Sequence, residues 1–122
     1  MKYLTEQEFQ DIINNRLEKT KNLLLVKGKE YNRNNDRLHN FRRSMEMNRQ
    51  TPEKALHGMM TKHIISYLDI LDDMEKGIMP SEATIEEKIG DMVVYTLLQE
   101  AVIKARLQSQ VKAKVVKPKR KR

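Results

Sequence analysis

The sequence predicts an all-α fold, a compact bundle of three long helices plus a short helix in the 27–50 connection, on three observations. Apolar residues recur at three- and four-residue spacing along three long stretches. Each stretch opens on a hydroxyl residue placed as a helix cap. The chain has no cysteine, so a hydrophobic core rather than a disulfide or thiolate–zinc framework must hold it together. Its 122 residues suffice for one such core and not for two.

The first helix is expected to start after Thr5, whose spacing to Glu8 is that of a capping box. Phe9, Ile12, Ile13, Leu17, Leu23 and Leu24 then form one stripe, which fades near Gly28. The second starts at Thr51-Pro52-Glu53, a hydroxyl cap followed by proline in the first turn. Leu56, Met59, Met60, Ile64, Leu68 and Leu71 are its apolar face, and Gly77 and Pro80 end it. A third starts at Ser81 or Thr84 and carries Ile85, Ile89, Met92, Val93, Leu97, Val102 and Ile103 over a wide arc. Such breadth belongs to a central helix or to one that meets another copy of the chain. Between the first two, residues 27–50 are too many for a plain connection, so a short helix is expected around Asn40–Asn48.

Charge is unevenly distributed. Residues 101–122 hold nine Lys/Arg and no acid, whereas residues 1–100 hold 15 bases and 17 acids. The organisation expected is a helical domain over 1–103 and a basic tail over 104–122, the latter being the end of the third helix followed by disordered chain. Lys117, Lys119, Arg120, Lys121 and Arg122 at its end offer phosphate contacts to nucleic acid, through charge alone since no aromatic lies among them. A solubilising extension or a contact with an acidic protein is the alternative. Within the body, residues 27–49 are basic and residues 69–91 acidic. The two runs are either solvated faces or the halves of a magnesium–nucleotide site, carboxylates for the cation and cations for the phosphates. No signal peptide or membrane-length apolar run is present, so a cytoplasmic protein without membrane association is expected.

Single residues remain two-sided. His63, on the apolar face of the second helix, reads either as a core histidine or as a site residue beside Lys62. Lys62 and Asp91 suit either an ion pair between helices or a ligand site. Asp36 and Asn40 read as caps of the short helix.

Glu86-Glu87-Lys88-Ile89-Gly90-Asp91-Met92-Val93-Val94-Tyr95 places Glu87, Asp91 and Tyr95 on one helix face, with Lys88 flanking. This stretch resembles the acidic helix of MazG-like proteins, the all-α nucleoside triphosphate pyrophosphatase superfamily. Lys27-Gly28-Lys29-Glu30-Tyr31, Asp36-Arg37-Leu38-His39-Asn40-Phe41, Ala55-Leu56-His57-Gly58-Met59-Met60 and Lys62-His63 resemble phage and prophage relatives of the nucleotide-modification-associated type. The resemblance spans roughly residues 5–103.

It implies a phage-type protein, in the host cytoplasm if phage-encoded, that binds a nucleotide or nucleotide-derived ligand. Glu30, Tyr31, Lys62, His63, Lys88 and Tyr95 would contact the ligand, and Asp69, Glu87 and Asp91 would hold Mg²⁺. An active member would be a hydrolase, a magnesium-dependent nucleoside triphosphate pyrophosphohydrolase, and related folds assemble as homo-oligomers. Two departures stand out: Lys88 occupies the place of a glutamate, and the second helix lacks the usual glutamate pair. The competing reading is a non-enzymatic phage interaction or inhibitor protein that binds nucleic acid or a host protein through the basic loop and tail.

Overall fold

In the computed structural model residues 1–116 are described, except for the side chains of Lys27, Glu30, Tyr31 and residues 111–116. The helices are α1 (Glu6–Asn22), α2 (Gly28–Tyr31), α3 (His39–Asn48), α4 (Pro52–Glu75) and α5 (Glu82–Val116), with a π-helical turn, Leu23–Lys27, between α1 and α2. The fold is all-α, and among the described residues the sole β feature is an isolated bridge between Arg33 and Asp36. That bridge closes on Asn34 and Asn35, both with positive φ, the conformation of a two-residue I′ hairpin turn that asparagine tolerates. No helix among the described residues is long and apolar enough to cross a membrane.

The helix starts follow from capping chemistry. Thr5 and Glu8 form the full capping box, each side chain accepting the other's backbone N–H at 3.1 Å. Lys2 also bonds Glu8, and its ammonium together with the Thr5 N–H holds the Glu8 carboxyl below the usual carboxylate range. Thr51 Oγ1 accepts Lys54 N–H at 3.3 Å. For α5 the cap is Ser81, whose Oγ accepts Thr84 N–H at 3.1 Å, so the alternative start at Thr84 is displaced by three residues. At α3 the expectation of side-chain caps fails for Asn40, which lies inside the first turn. Asp36 instead accepts the Leu38 N–H at 3.1 Å and pairs with Arg42.

α4 and α5 form an antiparallel pair, with Glu53 at the start of α4 set against Gln99 and Arg106 of α5. Gln99 Nε2 donates to Glu53 O at 3.2 Å and Arg106 Nη1 to Glu53 Oε1 at 2.8 Å. Ala55, Leu56 and Val102 are the buried apolar side chains among the described residues, Leu56 and Val102 fully so, all near this end of the pair. α1 meets the body at its C-terminal half, where Arg16 Nη2 donates to Glu86 O at 2.8 Å and Lys19 pairs with Glu86 at 3.3 Å. Its expected apolar stripe is present but open: Phe9, Ile12, Ile13 and Leu17 are 49, 54, 40 and 59% exposed. The expected helical end of the basic segment is long, since α5 continues to Val116, and residues 117–122 lie outside the described residues.

Truncating Leu56 to alanine should cost about 2–5 kcal/mol, and Thr51→Ala about 1 kcal/mol, both read as shifts of the urea unfolding midpoint. The capping box adds a pH dependence. Glu8 has a lowered folded-state pKa, so its contribution is present above the unfolded value and lost as pH falls through the folded one. Glu8→Gln should therefore increase fraying of the first turn of α1 above the usual carboxylate range and change little once pH has fallen below the folded-state value, as read by amide chemical shifts.

Candidate functional site

Five segments line an open cavity of about 410 Å³, within the roughly 300–1,000 Å³ range of small-molecule sites. Each wall is one helix face. Met59 and His63 are one turn apart on α4; Asp91, Val94, Tyr95 and Leu98 follow at three- and four-residue steps on α5. Asn40 and Phe41 come from α3, Arg37 from the loop before it, and Leu23 and Leu24 from the π turn. The lining is therefore mostly apolar and aromatic with four polar groups, Arg37, Asn40, His63 and Asp91.

His63 Nδ1 lies 3.1 Å from Asp91 Oδ2, and both side chains are under one-third exposed. The His63 and Tyr95 rings stand 5.0 Å apart and tilted by 31°, within the range of favourable aromatic pairs. The helix-to-helix partner of Asp91 is thus His63 and not Lys62, which is exposed one position away on α4. His63, left open by the sequence between core and site, is a half-buried wall of the cavity.

Arg37 shapes the opposite wall. Its Nη2 donates to Leu24 O at 3.3 Å. The π turn widens the backbone spiral and shifts its carbonyls off the α-helical pattern, so one of them is open to a side-chain donor. The guanidinium lies so close to Gly28 that an added Cβ would collide with it. Gly90 serves the same purpose on α5, where a Cβ would come within 2.6 Å of Arg16 Nη1. The glycine before Asp91 thus seats an arginine from α1.

The remaining expected site residues divide by position. Glu87, one turn before Asp91, is exposed and lines no part of the cavity, while its neighbour Glu86 is the residue that binds α1 through Arg16 and Lys19. Lys88 and Asp69 also lie outside it, Asp69 on an exposed stretch of α4. Glu30 and Tyr31 fall outside the described side chains, and Lys117, Lys119, Arg120, Lys121 and Arg122 outside the described residues. The cavity residues that sequence reasoning left unassigned are Arg37, Asn40 and Phe41. Their signal was the Asp36–Phe41 motif, of which Asp36 and Asn40 were read as caps.

Among the described residues no three His, Asp or Glu side chains converge as a metal site would require. One oxygen of Asp91 faces His63, and neither Asp69 nor Glu87 reaches the cavity. The described donor set does not fit a protein-held magnesium ion.

No family model, curated protein or solved structure matches the chain. The likeness to MazG-like proteins rests on the motifs quoted above.

Replacing Arg37 with alanine should release the Leu24 carbonyl, at a cost of about 1 kcal/mol. Hydrogen exchange should accelerate across residues 23–28 and stay unchanged in the middle of α4.

Proposed function

We propose that this is a phage-type, MazG-like protein that binds the base and sugar of a nucleotide or nucleotide-derived ligand in the cavity between α3, α4, α5 and the π turn, working as a homo-oligomer. The observation that carries the reading is the combination of aromatic walls with a few polar groups. Phe41 and Tyr95 offer ring faces to a heterocycle. The amide of Asn40, both donor and acceptor, suits the mixed edge of a base. Arg37 supplies a positive charge for a phosphate or a sugar oxygen. With Asp91 opposing Arg37, the lining cannot neutralise a triphosphate, so the phosphates would extend out of the opening.

Binding is the part of the reading that the geometry supports best. Magnesium-dependent pyrophosphohydrolysis has less support, since Asp91 is engaged by His63 and the other two carboxylates lie elsewhere. Thermal-shift and calorimetric titrations with nucleosides, nucleoside monophosphates and triphosphates, each with and without magnesium, test both. A nucleoside or monophosphate should stabilise the protein without the metal, and Tyr95→Ala should weaken binding about tenfold or more. Absence of any nucleotide-induced shift would refute the proposal. Release of diphosphate abolished by Asp91→Ala would favour the enzyme instead.

A second reading, contact with nucleic acid or a host protein through the basic end, draws on one observation. α5 carries Lys104, Lys112 and Lys114 on past the first turn of α4 toward the terminal basic run. Its test is a salt titration of DNA binding by the full chain and by a chain ending at Val116, which keeps Val102 and the Arg106–Glu53 pair. Equal affinities for the two would exclude a role for the last six residues.

A further inference from the structure

We infer that a cleft between α3, the head of α4 and the far half of α5 is a second binding site. Its ligand is a small molecule with one apolar group and one anionic head, a carboxylate or a phosphate. The inference is independent of the nucleotide reading above, whose cavity shares only Phe41 with this cleft. The cleft measures about 250 Å³, below the roughly 300–1,000 Å³ that drug-sized ligands occupy, so a smaller molecule fits it. Val102, Ala105, Arg106 and Ser109 recur at three- and four-residue steps and share one face of α5. Phe41 and Met45 come from α3, and Pro52 from the first turn of α4. Val102 is buried, whereas the Arg42 and Arg106 side chains are 55 and 42% exposed. The cleft thus has an apolar floor and a cationic rim.

The rim selects an anion. No acidic side chain lines the cleft, in contrast to the larger cavity with its Asp91. Among the described residues each guanidinium is paired through one nitrogen. Arg42 Nε lies 2.6 Å from Asp36 Oδ2, and Arg106 Nη1 donates to Glu53 Oε1 at 2.8 Å. A guanidinium carries five N–H donors in a planar fork, so most of them stay available to a further oxyanion. The two acids also hold the forks in place, which leaves less side-chain freedom to be lost when a ligand binds. Ser109, three residues beyond Arg106, adds a hydroxyl that can donate to the same head group. A cation would meet two like charges here, and a neutral apolar molecule would leave the N–H groups to water.

Benzoate and phenyl phosphate serve as probes, with benzyl alcohol and inorganic phosphate each lacking one of the two features. In titrations of the full chain followed by amide chemical shifts, both anionic probes should perturb residues 102–109. They should bind about tenfold or more tightly than either control, and the tighter of the two identifies the head group. Ala105→Leu fills the floor and leaves both ion pairs in place, and it should weaken binding about tenfold or more, as should Arg42→Gln. No shift at residues 102–109 with either probe at about 10 mM would overturn the proposal. Equal binding of benzyl alcohol would overturn it by removing the role of charge. Unchanged binding in Ala105→Leu would do so by placing the anion on the surface, and shifts confined to residues 91–98 by placing it in the larger cavity. If Ala105→Leu fails to fold, Arg42→Gln and the comparison of probes decide.

Discussion

The register between α4 and α5 is the constraint on which the other features depend. It is set at one end of the pair, where Leu56 and Val102 leave solvent and Glu53 is held by Gln99 and Arg106. A helix turns by about 100° per residue, so a slip of one position would carry a side chain off its face. His63 and Asp91 would then no longer meet, and the wall containing Tyr95 would rotate with them. The polar clamp at Glu53 is partly buried, and its part is to select one alignment out of several that apolar packing alone would tolerate.

The cavity shows how little charge a site of this kind gathers when its walls are helices. Lysine side chains beside it keep their ammonium groups in water, since burial of an unpaired charge is costly. Arg37 enters because a backbone carbonyl meets one end of its guanidinium, and Asp91 because an imidazole faces it. Both charged groups that line the cavity thus face a group of complementary polarity.

Much of this was readable from the chain. Helical spacing and hydroxyl caps marked α1, α4 and α5, and the length of the 27–50 connection pointed to α3. Asp91, Tyr95 and His63 stood out in sequence and line one cavity, from two facing helices. Glu87 did not join them, because periodicity assigns a face to a residue but not how far along the helix a cavity reaches; Glu87 lies one turn before Asp91 and is exposed to solvent. The π turn was illegible for another reason. Its residues, Leu23 to Lys27, are ordinary helix formers, and the widened turn depends on an arginine that lies ten residues further on. The cap reading of Asn40 failed because asparagine is tolerated both just before a helix and within its first turn, and here it lies inside.

The unbroken course of α5 has one more consequence. From Asp91 to Val116 it covers 25 residues, an axial distance of about 38 Å at the usual helical rise. At physiological ionic strength electrostatic fields fade over about 8 Å. The Val116 end of the helix is thus several screening lengths from the cavity wall at Asp91. Charge placed at that far end would exert little electrostatic influence on the cavity.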